Sequence, residues 1–537
     1  MGDTRPAIDF RHRGAFLVGI TAVSVGVVLH LPMYLASREM GYRMAGMPMD
    51  TAMKVGMALI VAGFATTAYG LVPRRSVLTV KEAPFEVRAL DDVPIRAAHV
   101  ALLAVMAAAV TIDVMKPTTL AFVMPGIATE YGLRSPSNPD GVPVGWLPLC
   151  ALTGMVLGSL LWGWLGDRIG RRASVLLAAV MFIGTAICGA MPSFALNLLM
   201  CFLMGAAVGG MLPIAFALLA ETIPARHRGW LMVLIGGDVA GAYLLTSYLS
   251  SRLQPMFGWR VMWLIGLPTG LALILLNRWI PESPRFLLAT GRVAQAQAVM
   301  ARFGARIVAT AEGADPADGA DGARRPRLAG GGFGRLVRPP LGGLTASVAL
   351  FAVGWGLVNN GFLLWLPTNL RNLGLDIGTA DRLLANSALI SLPAIFAVAA
   401  LYGLWSSKKT MILAALVTTT ALSVFAVMGE RVGQHPLLLQ GLVVVLLAGT
   451  SGMLAMLTPY SSEVYPTRIR ARGAGLAGMC GRGGGLLGVG VVLAGIAPPS
   501  LSGAARLGTV PIGLAVLAVA RYGVETRRRR LEDIAAA

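Results

Sequence analysis

Glu221-Thr-Ile-Pro224-Ala-Arg226-His-Arg228 returns in the second half of the chain as Glu463-Val-Tyr-Pro466-Thr-Arg468-Ile-Arg470. The acid, the proline and two arginines keep their spacing. Each copy follows a long apolar run, 196–220 in the first case and 436–459 in the second. Two further signals repeat at or next to the same offset. Pro125 followed by Gly132-Leu133 returns as Pro367 followed by Gly374-Leu375, and Pro281-Glu282-Ser283 has a looser echo in Val524-Glu525-Thr526. A single match of this kind carries little weight. Three, at matching places in two sets of six apolar runs, argue for a duplicated chain. Parallel halves related by an axis along the membrane normal place a binding site between them near the midplane.

The 537 residues are 56% hydrophobic and 13% charged, too little polar surface for a soluble protein of this length. Apolar runs of about 20 residues fit the hydrocarbon thickness of a bilayer. Twelve such runs form the duplicated core, near 97–127, 144–166, 173–192, 196–220, 229–250, 259–280, 345–369, 383–404, 410–428, 436–459, 473–496 and 506–523. Two more precede them, about 14–36 and 51–72. The first has too long an apolar stretch for a signal peptide and is kept as an anchor. The expected fold is an all-α membrane protein with a 6+6 helix core and two additional N-terminal transmembrane helices, fourteen spans in all.

The chain divides accordingly. Residues 1–96 hold the added pair and a charged connector, 97–283 the first six-helix half, 284–343 a polar stretch, 344–523 the second half and 524–537 a tail. Within the polar stretch, 284–303 has helical periodicity and is expected to lie on the membrane surface. The Ala-, Gly-, Asp- and Arg-rich part, 304–334, buries little and reads as a flexible linker.

The net charge of +19 needs no nucleic acid to explain it. With the N-terminus placed in the cytoplasm, roughly 33 of the 45 Lys and Arg fall in cytoplasmic segments. Both termini are therefore expected in the cytoplasm of a multi-pass protein of the plasma or inner membrane. No basic, aromatic-bearing soluble domain is present. Cys150, Cys188, Cys201 and Cys480 all fall in apolar runs without metal-ligand spacing. No nucleotide-binding loop or hydrolase triad is found. His12, His30, His99, His227 and His435 share no spacing. An enzyme, a resident metal and an organic cofactor are not expected. The expected partners are the lipid bilayer and a small-molecule substrate, for a monomer.

The informative residues are the charges inside spans, which face a partner or a wet cavity because insertion costs about 2.5–3.5 kcal/mol. Thr111-Ile-Asp113-Val-Met-Lys116-Pro117 carries a carboxylate and an ammonium three residues apart, on one shared face of a helix. One reading makes Lys116 the counter-charge for an anionic substrate and Asp113 a protonation site, with Pro117 breaking the helix beside them. The other makes them a structural ion pair. Asp238, within Gly236-Gly237-Asp238-Val-Ala-Gly241, is a second proton-site candidate or a hydrogen-bonded structural acid. Arg482, in a glycine-rich span, either contacts an anion from the second half or pairs with an acid. Asn359 and Asn360, with Trp355, Phe362 and Trp365, either bind a ring or sugar face or form a packed aromatic core.

Gly163-Trp-Leu-Gly-Asp167-Arg168-Ile-Gly170-Arg171-Arg172, together with the E-x-x-P-x-R-x-R repeat and Pro281-Glu-Ser-Pro-Arg285, resembles the major facilitator superfamily over about 95–530. The second-half loop, Leu404-Trp-Ser-Ser-Lys408-Lys409, lacks the Asp. Asp113 with Pro125, Gly209-Gly210-Met-Leu-Pro213 and Trp365-Leu-Pro367-Thr are similar to the aromatic acid:proton symporters and, less closely, the sugar porters. Two departures stand out. A second acid often found in those symporters is here Lys116. An Arg that many members carry in the fourth span is here Cys201, so a positive charge is moved to the first span.

The resemblance implies a cytoplasmic gate of salt bridges. Its first-half members would be Asp167, Arg168, Arg171, Glu221, Arg228, Glu282 and Arg285, and its second-half members Glu463, Arg470 and Glu525. It further implies a secondary active transporter working by alternating access, with proton-coupled uptake of a small organic anion such as an aromatic or carboxylic acid. The alternatives are proton-coupled sugar or polyol symport, drug or metabolite export, and a transporter-like sensor. The buried acids favour the proton as coupling ion.

Overall fold

The computed structural model describes residues 11–72, 85–89, 93–134, 138, 140–209, 211–309, 334–339, 341–465, 470–494 and 500–526. The terminal segments 1–10 and 527–537, the linker portion 310–333 and the side chains of Asp167, Glu221, Arg285 and Arg470 lie outside the described residues. Among the described residues, thirteen helical segments are long and apolar enough to cross a membrane. The fourteenth expected span is a pair of shorter helices, so the layout is 2+6+6.

The added pair is α1 (Arg13–Val28) and α2 (Thr51–Leu71), with Asp50 capping α2 by accepting the Met53 N–H at 2.7 Å. Ser, Asn and Asp caps of this kind satisfy donors that a helix start leaves open. The pair packs through small residues. A Cβ on Gly63 would lie 2.7 Å from the Gly19 carbonyl, and one on Gly26 would lie 2.6 Å from that of Gly56. Close backbone approach of this sort is what drives helix association where no hydrophobic effect acts.

The first half follows: α3 (Ala97–Glu130), α4 (Trp146–Ile169), α5 (Arg171–Gly184), α6 (Phe194–Val208), α7 (Met211–Thr222), α8 (Ala225–Gly236), α9 (Val239–Phe257) and α10 (Gly266–Leu276). The expected span 196–220 is α6 plus α7, with α6 ending at Val208 and Gly209 capping it. The span 229–250 is α8 plus α9, broken at Gly237-Asp238. The expected break at Pro117 is absent. α3 runs through both Pro117 and Pro125. Thr118 and Thr119 donate their hydroxyls to the carbonyls of Val114 and Met115 at 2.7 and 2.8 Å, so the polar backbone around the proline stays occupied.

The stretch after the first half forms α11 (Pro284–Ala289) and α12 (Val293–Phe303). Their apolar face, including Leu287, Leu288, Ala296, Val299, Met300 and Phe303, is buried in the first half's core with Leu102, Met106 and Ile223. The expectation of a helix lying on lipid is corrected: that face is covered by protein. The connector and the linker, both read as loops, contribute a strand each. β1 (Phe85–Ala89) pairs antiparallel with β2 (Ala305–Ala309), Phe85 opposite Ala309 and Ala89 opposite Ala305.

The second half is α13 (Gly342–Gly361), α14 (Leu366–Asn372), α15 (Ile377–Leu404), α16 (Ser407–Met428), α17 (Pro436–Glu463), α18 (Arg470–Leu493) and α19 (Leu501–Tyr522). Both halves use the same packing device. A Cβ on Gly205 of α6 would meet the Ala151 carbonyl of α4 at 2.0 Å, and the backbones of α13 and α18 approach as closely at Gly356 and Gly481.

The hairpin is fastened to the first half at the end away from the arginine-rich loops. Glu130 ends α3 and accepts the Met44 and Ala45 N–H groups at 2.6 and 2.9 Å. It also takes Arg260 Nη2 at 2.6 Å and Trp259 Nε1 at 2.8 Å. Arg260, fully buried, donates in turn to the Gly189 and Met191 carbonyls. Gly63→Val is expected to overpack the α1–α2 contact and cost about 1–3 kcal/mol. Gly14→Val, at a position where an added Cβ meets nothing within 4 Å, is expected to be neutral. Thermal midpoints of the two purified variants check both statements.

Candidate site between the halves

Asp113 sits midway along α3 and is 4% exposed. Its carboxylate faces a small pocket lined by Trp162, Val175, Phe182, Ala207, Ile214 and Leu273. Asp113 Oδ2 has no hydrogen-bond partner. The charge that acts on it comes from the other half: Arg482 of α18. Arg482 Nη2 reaches the Gly209 carbonyl, at the break between α6 and α7, at 3.4 Å. The break in the fourth core span therefore presents an unsatisfied backbone acceptor to a guanidinium from the second half.

Lys116 was grouped with Asp113, and the structure separates them. Three residues along a helix leave the two side chains about 60° apart around the axis. Lys116 turns into the first half, with Nζ 4.7 Å from the Phe182 ring centre and 5.8 Å from that of Trp263. It abuts Gly266 of α10, where a Cβ would lie 2.2 Å from Nζ. Cys188 and Cys201 are its other polar neighbours. The ammonium thus lies beside the fourth-span position where the family resemblance placed an Arg. It has no hydrogen-bond partner and makes no ion pair with Asp113 among the described residues. Aromatic faces hold it instead.

Asp238 lies at the break between α8 and α9 and accepts the Thr111 hydroxyl at 2.5 Å. Thr111 and Asp113 are two residues apart, about 200° around α3, so Asp238 does not share the pocket of Asp113. Asn360 donates to the Gly356 carbonyl at 3.2 Å and packs against Gly485, which draws it into second-half packing. Asn359 is half-buried. Trp365 is 2% exposed and its indole N–H has no partner. Its ring reaches Gly145 at the start of α4, so it bridges the halves at the end opposite the arginine-rich loops.

At the arginine-rich end, two of the expected gate acids act as helix caps. Glu282 accepts the backbone N–H groups of Arg171 at 2.9 Å and Ser283 at 3.0 Å, over the start of α5. Glu525 accepts the Ser407 N–H at 2.9 Å and its hydroxyl at 2.6 Å, over the start of α16, and bonds the Ser406 hydroxyl. The repeat is thus met in function: each half ends in an acid that caps its own third core span. Burial pushes the Glu282 carboxyl above its ordinary range, while the Ser283, Arg171 and Arg172 N–H groups pull it back. Gly170 makes this possible, with φ of 97° and a Cβ position 2.7 Å from Glu282 Oε2.

The cross-half contact at this end is between Arg228 and Glu463. The Glu463 carboxylate feels the Arg228 charge and accepts the Tyr402 hydroxyl at 2.8 Å. Arg168 is exposed and stacks on Trp164 at 4.2 Å.

Four polar residues that tie the halves at the opposite end were not singled out from sequence: Ser250, Gln254, Arg371 and Asp381. Asp381 is fully buried one turn into α15. The apolar run of that span was read as starting at 383, which left Asp381 outside it.

Two six-span halves meeting around buried opposite charges define a membrane transporter. Residues 101–489 match the Major Facilitator Superfamily, and the chain belongs to it. It is 27% identical to the niacin transporter NiaP of Acinetobacter baylyi over 404 residues, 74% of this chain and 87% of that one. It is 26% identical to the 4-hydroxybenzoate transporter PcaK of the same organism over 417 residues, 76% of this chain and 87% of that one. The solved structure of the proton:xylose symporter XylE bound to 6-bromo-6-deoxy-D-glucose superposes with a TM-score of 0.63 at 18% identity, covering 82% of this chain and 99% of that one. The likeness to XylE is one of fold. The relatives and the family are transporters, and the chain is a transporter rather than an enzyme.

Two outcomes follow from the geometry. Lys116→Met removes a charge without a polar partner at similar volume, so the purified variant is expected to unfold at or above the wild-type temperature. A clear drop would mean that the ammonium has a partner in the membrane. Glu282→Ala and Glu525→Ala each uncap a helix and are expected to cost about 1 kcal/mol, read as lowered thermal midpoints.

Proposed function

We propose that this chain takes up a small organic anion, an aromatic or carboxylic acid, together with protons, by alternating access between its two halves. The reading rests on a buried carboxylate in the first half, Asp113, and a guanidinium of the second half, Arg482, that reaches across to the first half's Gly209 carbonyl. A guanidinium in a low-dielectric gap needs an anion. With the site empty, Asp113 serves. A proton on Asp113 releases Arg482 to bind a substrate carboxylate, so proton and anion load together and nearly cancel in charge. Arg is suited to the task because its planar fork matches a carboxylate. Lys116 adds a positive field to the same region without touching the substrate. Asp238, bonded to Thr111, is a second position for a proton. Asn359 and Trp365 offer a polar edge and a ring face at the inter-half surface.

The names of the relatives support this choice, since niacin and 4-hydroxybenzoate are both aromatic carboxylates. The arginine-rich end is placed in the cytoplasm, on the bias of Lys and Arg between loops. Both termini then lie inside, in a plasma or inner membrane. Arg228 and Glu463 act in the cytoplasmic gate together with the loop Asp167–Arg172. The protein works as a monomer with the proton as its coupling ion.

The test is uptake into proteoliposomes carrying an internal pH dye, with nicotinate, 4-hydroxybenzoate, xylose and a lipophilic cation as substrates. The expected result is acid-driven proton entry, reduced about 10- to 100-fold in Arg482→Gln by loss of one charged hydrogen-bond partner. Asp113→Asn is expected to retain acid exchange and lose its dependence on the pH gradient. Wild-type rates in Arg482→Gln would remove the proposal. Proton entry with xylose and none with either acid would assign the protein to sugar symport.

A further inference from the structure

Away from the arginine-rich loops, the two halves are joined by one buried polar cluster. The first half supplies the main-chain carbonyl of Phe122, in α3, and Ser250 and Gln254 of α9. The second half supplies Arg371 of α14 and Asp381 of α15. The Ser250 hydroxyl donates to Asp381 Oδ2 at 2.5 Å. Gln254 Nε2 donates to the Phe122 carbonyl at 3.2 Å and also contacts Ser250 Oγ at 2.5 Å. Arg371 Nη2 donates to the same Phe122 carbonyl at 3.3 Å. It stands 3.7 Å from Asp381 Oδ1, an ion contact longer than a hydrogen bond. Asp381 and Ser250 are fully buried, and Gln254 is 4% exposed.

Three properties set this cluster apart from ordinary packing. Two of its bonds, Ser250 to Asp381 and Arg371 to the Phe122 carbonyl, cross between the halves and break when they separate. Its Arg371 is carried on the last turn of α14, the short helix that follows the break at Phe362, where the second half's first core span can bend. It is also incompletely satisfied, since Arg371 Nε and Asp381 Oδ1 have no hydrogen-bond partner. A fully bonded buried pair would resist separation, because removing one partner leaves a bare buried charge. A cluster with unmet donors and acceptors gains water on opening and offsets part of that cost. It is a tie that can be undone.

We propose that Arg371, Asp381, Ser250 and Gln254, closing on the Phe122 carbonyl, form a latch that holds the external face of the transporter shut. These are positioning residues for the transport cycle and touch no substrate. The external location and the reciprocal motion rest on the alternating-access reading above. Weakening the latch shifts the population toward outward-open.

The test measures the two ends separately and needs no substrate. Cys150 and Cys480 are replaced by Ala, and the buried Cys188 and Cys201 stay. Spin labels are placed at exposed positions on the external side, Asp140→Cys with Glu430→Cys, and in a second sample on the cytoplasmic side, Arg226→Cys with Lys409→Cys. Distances are recorded in lipid nanodiscs. Arg371→Met is expected to raise the long-distance population of the external pair on the order of tenfold. The cytoplasmic pair shortens in step. Asp381→Asn gives the same direction and carries the test if Arg371→Met fails to fold. The double variant shifts no further than the stronger single one, because both break one unit.

Unchanged external distances in both single variants would overturn the proposal. So would external lengthening with no cytoplasmic response, which would mark a local tie. Failure of every acid to be transported would count against the substrate reading and would leave these distances as they are.

Discussion

A guanidinium and a carboxylate buried at bilayer depth each demand an opposite charge, and in this protein the carboxylate of Asp113 and the guanidinium of Arg482 come from different halves. Asp113 belongs to α3 and Arg482 to α18. Arg482 completes its bonding on the Gly209 carbonyl, again in the other half. The energetic need of each half is met across the seam. This makes the seam the place where a third charged body, a proton or a substrate anion, changes the balance most. Lys116 shows the other solution to the same demand. It stays within its own half and is held by ring faces, a cation–π contact worth about 2 kcal/mol when desolvated. That solution needs no partner across the gap, so Lys116 need not respond when the halves move.

The duplication also explains the ends of the spans. Glu282 and Glu525 come late in their respective halves, and each returns to cap the helix that follows the half's first loop. Acids at helix starts meet open N–H donors and the positive end of the helix dipole. A loop arginine set can therefore keep its topological role while the acids hold helix starts in place. Among the described residues, the Arg228 charge acts across the halves on Glu463, which accepts the Tyr402 hydroxyl.

The layout of spans and the two halves were legible because apolar run length and a repeated motif report directly on bilayer thickness and duplication. Pairing inside the site was less legible. Asp113 and Lys116 are neighbours in sequence, yet Lys is long enough to swing onto Phe182 and Trp263, residues some 70 and 150 positions downstream. The partner that acts on Asp113 lies still further away, at Arg482. Ser250, Gln254, Arg371 and Asp381 were missed for a different reason. They lie at span ends, where a shift of two residues decides whether an acid counts as buried or as loop. The β1–β2 pair escaped because its strands are five residues each and lie on opposite sides of the whole first half.

The two added helices bear on which parts move together. Glu130 and Arg260 form a 2.6 Å buried ion pair, and the same carboxylate holds two backbone N–H groups of the segment joining α1 and α2. Separating that pair costs about 3–5 kcal/mol. On the other side, α11, α12 and β2 are tied to the first half by Phe303 against His99 and by Arg96 on the Ala301 carbonyl. By contrast, two of the polar ties between the halves are long, 3.4 Å at Gly209 and 3.3 Å at Phe122. Stress applied to the molecule therefore yields at the seam before it loosens the hairpin. In the proposed alternating access, the hairpin, the first half and the segment that follows it would travel as one body, with the second half rocking against them.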